Sequence, residues 1–441
     1  MELLVIAVFV IGYAAIALEH NIKIDKAASA LLTGMICWTL FSFYLGKTYH
    51  GHELKEALEH SMGHHLFDIA GILFFLMGAM TIVELVDAHE GFKVITDQIK
   101  TTNAVKLLWI VGLITFFLSS VLDNLTTTIV MISLLRKLID DKQMRWLFVG
   151  LVVIAANAGG AWSPIGDVTT TLLWNGGQLP DVGKMLTHLI LPSLVSLILP
   201  ILALSFSLKG RELARPQADT LSAHKTNPTT DSERKLIFTL GIGGLVFVPV
   251  FKTITHLSPF MGMMFSLGIL WVVTEIIHRS KNKEDKHPLS VVGVLQKIDV
   301  SSVLFFLGIL LAVAALQEFG HLGKLAEFLN NSIGDIYIIN VAIGFLSSIV
   351  DNVPLVAAAQ GMYEVAASGE FAANGHFWQF LAYCAGVGGS CLIIGSAAGV
   401  AAMGLEKIEF GWYLKKVTWL AVIGYLGGAI VYYLLSMFVF V

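Results

Sequence analysis

Charge is scarce in this chain. Lys, Arg, Asp and Glu make up 14% of its 441 residues, against about 25% in an ordinary soluble domain. Apolar residues take up the difference at 56%, and the mean hydropathy is +0.77. Cysteine is nearly absent. Cys37, Cys384 and Cys391 all lie in apolar runs without metal-ligand spacing, so they read as small packing residues rather than as a disulfide framework or a zinc site. The net charge is −4, and no basic tract points to nucleic acid. No Walker motif indicates an ATP drive, and no cofactor motif is present. Histidine is missing between His89 and His188, which leaves the acids of that region without the partner an intramembrane hydrolase would need.

What is present is a succession of apolar runs, each near the roughly 20 residues that cross a bilayer. Spans are expected at about 3–19, 26–45, 68–87, 145–174, 185–208, 235–251, 260–278, 299–318, 377–405 and 413–438. Residues 3–19 read as a retained first helix, because the Met1-Glu2 start is acidic where a signal peptide is basic. Two further apolar pairs, about 106–137 and 337–367, each hold an Asp-Asn motif at their centre: Asp123-Asn124 and Asp351-Asn352, 228 positions apart (351 minus 123). Asp-Asn favours turns and Pro354 interrupts helices, so each pair is expected to be a re-entrant hairpin. The alternatives are one long helix, or two full spans with the motif in a loop. A charge in hydrocarbon costs roughly 2.5 kcal/mol or more, which makes an intramembrane acid a functional candidate by default.

The motif belongs to a longer repeat. Residues 68–76 (DIAGILFFL) match 299–307 (DVSSVLFFL), and 157–167 (NAGGAWSPIGD) match 386–396 (GVGGSCLIIGS). Asp68 and Asp299 read as helix N-caps at the membrane edge. The expected fold is therefore an all-α polytopic membrane protein. It has two inverted repeats of five spans plus one re-entrant hairpin each, with unwound helices at the site. The first repeat covers 1–208, a cytoplasmic linker 209–234, and the second repeat 235–441. Basic residues agree with the inversion. Lys209, Arg211, Arg215, Lys225, Arg234 and Lys235 fall on one side with Arg279, Lys281, Lys283, Lys286 and Lys297, which the positive-inside rule makes cytoplasmic. Both termini are then external. Segments 92–104 and 321–333 could be interfacial amphipathic helices. His50, His52, His60, His64 and His65 are expected in an external solvated loop. Glu84, Asp87, Glu318, Glu275 and His278 are expected at span ends, as snorkelling interface residues.

The chemistry should lie with the acids. Between Lys106 and Arg136 the only charge is Asp123, and between Lys324 and Lys407 there is no Lys or Arg beside Asp351. The presumed site is acidic with no cation of its own, which suits a cation or a proton better than an anion. Broken helices can still bind anions through their N-termini, so that alternative stays open. The run from Asn157 to Thr171 contains Gly159, Gly160, Pro164, Gly166 and Asp167. Glycine and proline at that density predict an unwound span whose carbonyls, with carboxylates, amides and Thr hydroxyls, suit a hard cation. Thr169, Thr170 and Thr171 could instead satisfy freed backbone groups. The counterpart run carries Gly388, Gly389 and Ser390 but no acid, so the site is expected to be asymmetric. Na⁺ is expected at Asp123, Asp167 and Asn352. Burial disfavours an ionised carboxylate, so Na⁺ and H⁺ would compete for one acidic site.

The paired Asp-Asn motifs and the Asn157–Thr170 run resemble the NhaD-type Na⁺/H⁺ antiporters of the ion transporter superfamily, over essentially the whole chain. The resemblance implies exchange of Na⁺, often Li⁺, for H⁺, favoured at alkaline pH, in a bacterial inner membrane. By motif match it implies functional positions at Asp123, Asn124, Asn157, Asp167, Thr169, Thr170, Ser347 and Asn352. Superfamily members that carry dicarboxylates or citrate typically have Ser where Asp123 stands. The superfamily fold also implies a homodimer, with hairpins and broken helices moving against a scaffold. An anion carrier for arsenite or dicarboxylate, or a cation channel, remains the alternative.

Overall fold

A computed structural model describes residues 1–440 apart from Leu18, Asp97, Gln98, Lys100, 215–228 and Val350. The helices used below are α1 (Glu2–Ala17), α2 (Lys26–Leu45), α3 (Gly51–Ala88), α4 (Ala104–Leu122), α5 (Asn124–Leu138), α6 (Lys142–Gly160), α7 (Val168–Asn175), α8 (Val182–Ser207), α9 (Asp231–Thr255) and α10 (Pro259–Ile277). The second half continues with α11 (Val300–Glu318), α12 (His321–Ser332), α13 (Ile336–Ser347), α14 (Asn352–Met362), α15 (His376–Gly388), α16 (Ala397–Glu406), α17 (Phe410–Lys416) and α18 (Thr418–Phe438). Eight of these, namely α2, α3, α4, α8, α9, α10, α11 and α18, are long and apolar enough to cross a membrane. The protein is an all-α polytopic membrane protein.

The helices are interrupted at both Asp-Asn motifs, at Asp123 between α4 and α5 and between Ser347 at the end of α13 and Asn352 at the start of α14. Helices α13 and α14 have 12 and 11 residues. At 1.5 Å per residue that is under 20 Å, too short for a bilayer core of about 30 Å. Pro354 lies in the first turn of α14, where a missing N–H costs nothing. It starts the helix and leaves the interruption to the residues before it. Both broken spans are present too. Helix α6 stops at Gly160 and α7 begins at Val168, while α15 stops at Gly388 and α16 begins at Ala397.

Each hairpin packs on the broken helix that follows it, and the glycines set the distance. A Cβ on Gly159 would stand 2.2 Å from the carbonyl oxygen of Phe116, and one on Gly388 the same distance from that of Gly344. Gly160 and Gly389 likewise abut the carbonyls of Gly166 and Gly395. Without side chains at these four positions, backbone meets backbone, as membrane helix interfaces require. Ser119 Oγ then reaches the Ala156 carbonyl (2.6 Å) and Ser347 Oγ the Ala385 carbonyl (2.8 Å). Around this centre, α2 packs on α11, α3 on α10, α9 on α10 and α8 on α18. Gly34 and Gly308 let α2 and α11 approach closely, and Trp38 Nε1 donates to the Leu311 carbonyl at 2.9 Å.

Several expectations need correction. Helix α3 has 38 residues and starts at Gly51, so His52, His60, His64 and His65 stand on a helix and not in a loop. The Lys55–Glu59 ion pair, one turn apart on this helix, supports that extension. Asp68 is therefore inside a helix, whereas Asp299 does cap α11 by accepting from Ser302 N at 3.1 Å. The 321–333 segment is helix α12, and among the described residues of 92–104 a separate helix, Lys93–Thr96, precedes α4; Asp97, Gln98 and Lys100 lie outside the described residues. Arg215 and Lys225 of the linker lie outside the described residues.

A buried ion cluster ties α16 to α5 and α6. Glu406, 5% exposed at the end of α16, accepts from Arg136 Nε (2.6 Å) on α5 and Arg145 Nε (2.9 Å) on α6. Trp146 Nε1 adds a bond to the Glu406 carbonyl at 3.0 Å. Removing one partner of such a buried cluster leaves the others uncompensated, at about 3 kcal/mol. Glu406→Gln is expected to lower the melting temperature of the purified protein clearly. An unchanged melting curve would show that the cluster does not hold α16 to the first hairpin.

Candidate functional site

The interrupted helices bring their N-termini together, and the side chains that cap them make the site. Asp167 caps α7: its Oδ1 accepts from Thr169 N and Thr169 Oγ1, both at 2.9 Å. Its Oδ2 accepts from Asn124 Nδ2 at 2.6 Å. Asn352 Nδ2 reaches the same carboxylate from the second hairpin, at 3.3 Å from Oδ2 and 3.5 Å from Oδ1. Asn124 also donates to Asn157 Oδ1 (3.1 Å), and Asn157 Nδ2 passes the chain on to Ser396 Oγ (3.0 Å) at the start of α16. Asp167 is 2% exposed and Asn157 fully buried. Both hairpins and both broken helices thus converge on one carboxylate.

Asp123 stands beside this centre. It caps α5, with Oδ1 accepting from Thr126 N and Oδ2 from Thr126 Oγ1, both at 2.8 Å. Its backbone has φ of 100°, a conformation that costs a non-glycine residue strain of order 1–3 kcal/mol and is found mostly at functional positions. Asp123, Asp167 and Thr171 line one small void against Leu76 and Met80 of α3. Asp351 is also within electrostatic range of Asp167.

The site holds most, but not all, of the residues expected in it. Asp123, Asn124, Asn157, Asp167, Thr169, Asp351 and Asn352 are brought together. Thr170 and Thr171 satisfy backbone instead: both hydroxyls donate to the Asp167 carbonyl, and Thr171 also to that of Pro164. Ser347 and Ser390 donate to the carbonyls of Ala385 and Val387, so they build the scaffold of the site. Gly159, Gly160, Gly388 and Gly389 serve as contact points for neighbouring backbone. Two residues were missed. Thr126 could have been found, since Asp123 followed three residues later by a hydroxyl is a capping pattern. Lys26 could not, being 325 positions from its partner. Its Nζ lies 3.4 Å from Asp351 Oδ2, and this overturns the expectation of a site without a cation of its own. The expectation stands for Asp123 and Asp167, which have no ion-pair partner among the described residues.

Above the centre, a cavity of about 450 Å3 lies between α3, α9, α10 and α11 on one side and α7 and α14 on the other. His64, His65, Asp68, Asn175, Gln178, Lys252, His256, Gln317 and Gln360 give it polar walls. At the other end of α3, His89 and His278 face each other with their Nε2 atoms 2.7 Å apart. Burial holds both imidazoles below their ordinary range, His278 at about 4, so both are neutral at physiological pH.

A family model described as a citrate transporter matches residues 3–379. The chain belongs to that family. Its relatives there include Sodium/proton antiporter 1 of Arabidopsis thaliana, 47% identical over 96% of this chain and 71% of that protein. Sodium/proton antiporter 2 of the same plant is 43% identical over 96% and 97%. The Na⁺/H⁺ antiporter NhaD of Vibrio cholerae is 30% identical over 97% and 91%. The resemblance carried by the Asn157–Thr170 run and the paired Asp-Asn motifs therefore extends over the chain.

Asn124 is the joint of the family member's site, donating at once to a carboxylate and to Asn157. Replacing it by Leu strands both acceptors in a buried place, where losing a bond to a charged group costs about 2 kcal/mol. Asn124→Leu is expected to melt several degrees below the parent in the absence of Na⁺. Equal melting would remove Asn124 from the network.

Proposed function

We propose that the chain is a secondary active Na⁺(Li⁺)/H⁺ antiporter that exports Na⁺ in exchange for H⁺ by alternating access, favoured at alkaline pH. The observation that carries this reading is the Asp167 carboxylate, buried, without a cationic partner among the described residues, and met by the amides of Asn124 and Asn352. Such a group is stable when it carries a proton or a small hard cation, and the two exclude one another. The relatives' names, sodium/proton antiporters in Arabidopsis and Vibrio, support the same pair of ions.

Exchange follows from the donors. With Asp167 free of Na⁺, Asn124 and Asn352 present Nδ2 to it. On Na⁺ binding, each carboxamide turns to offer Oδ1, and the cation collects carboxylate oxygens from Asp167 and Asp123 together with amide oxygens. Loss of Na⁺ to the far side leaves the carboxylates to a proton, which returns with the next reorientation. Hairpins and broken helices (α4–α7 and α13–α16) move as one body against α2, α3 and α9–α11. Repeat one covers 1–208 and repeat two, inverted, 235–441, with the 209–234 linker cytoplasmic, both termini external, a bacterial inner membrane around the protein and a homodimer as its assembly.

The family model's description favours a second reading, an anion carrier. Helix N-termini attract anions, and four of them meet here. The N-termini of α5 and α7, however, are already capped by the carboxylates of Asp123 and Asp167, which repel an anionic substrate. The test is dequenching of a pH dye in everted vesicles on adding NaCl or LiCl, at neutral and alkaline pH. Exchange with either cation is expected, lost in Asp167→Asn. No response to either cation in the parent refutes antiport, and exchange persisting in Asp167→Asn removes Asp167 from the mechanism. In proteoliposomes a Na⁺ gradient should drive H⁺ uphill, which a channel cannot do.

A further inference from the structure

The two Asp-Asn motifs differ in what their aspartates hold. Asp123 spends both carboxylate oxygens on its own helix through Thr126. Asp351 makes no capping bond to α14. Its carboxylate points away from the hairpin to Lys26, the first residue of α2, with Nζ–Oδ2 at 3.4 Å and side chains 19% and 12% exposed. Lys26 Nζ also stands 4.5 Å from the centre of the Phe305 ring on α11, a cation–π contact that holds the ammonium in place. Its base is fixed as well, because Asp25 caps α2 and accepts from Ser301 Oγ of α11 at 3.0 Å. The pair closes a narrow cleft lined by Tyr13, Ile16 and Glu19 opposite Ile394 and Val400. That cleft is at the start of α2. The large polar cavity is lined by other residues, His65 among them, which packs on Trp38 further along α2.

We propose that Lys26 is a built-in substitute for the transported cation: with no Na⁺ bound, its ammonium takes the place beside Asp351 and latches the second hairpin to α2 and α11. This rests on the cation-exchange reading of the same site. Asp351 lies within electrostatic range of Asp167, so Na⁺ held by Asp167 and Asp123 competes with the Lys26 ammonium for one field of carboxylates, and Na⁺ entry loosens the Lys26–Asp351 pair. The hairpin tip is then never a bare anion, and it can move only when the latch opens. Lys26 is a positioning residue with opposite effects on the two transport parameters. As a competitor it raises the half-saturating Na⁺ concentration, and as a substitute it speeds Na⁺ departure.

The test is acylation of lysine amines in the full-length protein, read by peptide mass spectrometry, in NaCl against choline chloride. Lys55, 70% exposed, is the internal control. Na⁺ is expected to raise Lys26 labelling at least threefold and leave Lys55 unchanged, and Asp351→Asn is expected to label at the high level in both salts. In vesicles, Lys26→Gln should lower the half-saturating Na⁺ at least threefold and lower the maximal rate, while Lys26→Arg keeps both near the parent. Equal Lys26 labelling in the two salts, with exchange intact in vesicles, overturns the latch and leaves antiport standing. A Lys26→Gln protein with unchanged half-saturation and rate does the same. Absence of exchange in the parent overturns antiport instead, and the choline contrast between parent and Asp351→Asn still decides the ion pair.

Discussion

Asp167 is where the structure is tied. A carboxylate 2% exposed in a membrane protein cannot rely on water, and the bonds it accepts come from three separate parts of the chain. Thr169 belongs to the second half of the broken helix, Asn124 to the first hairpin and Asn352 to the second. Through Asn124 and Asn157 the same network reaches Ser396 and the other broken helix. Hydrogen bonds to a charged acceptor are stronger than neutral ones, and a low dielectric strengthens them further. The price of interrupting two helices in a bilayer is a set of unpaired backbone groups, and the same short segments satisfy them: Thr170 and Thr171 on Asp167 and Pro164, and Ser163 on the Ser120 carbonyl.

The two matching stretches of sequence pack alike but carry different polar groups. The glycine contacts and the Ser119 and Ser347 bonds repeat almost atom for atom, because they serve backbone packing, which both halves need equally. The polar groups do not repeat. Where the first stretch has Asp167 the second has Ser396, which bonds Asn157, and Asp123 caps its own helix where Asp351 reaches across to Lys26. The first half supplies Asp123 and Asp167, and the second supplies the Asn352 amide and Asp351, whose partner Lys26 lies near the start of the chain.

Most of the architecture was legible in the chain. The apolar spans and the helix interruptions around Asn157–Asp167 and Gly386–Ser396 follow from apolar run length and glycine placement, which are local properties. Asp167 and its neighbours were legible too, as acids and amides in apolar surroundings. The N-terminal part of α3 was not, because a polar, histidine-rich stretch looks like a loop unless a charge pair one turn apart, Lys55 with Glu59, is counted.

The sequence by itself determined that an acidic, broken-helix centre exists and which residues border it, because hydrocarbon tolerates such groups only where they are used. The tertiary structure decided how those residues divide the work. A threonine or serine hydroxyl can meet a cation or a carbonyl, and only the packing sends Thr169 to the carboxylate and Thr170 and Ser347 to backbone. It also decided the charge of the site. Lys26 and Asp351 are 325 positions apart, and no local pattern records a meeting that arises when α2 packs on α11 beside the second hairpin.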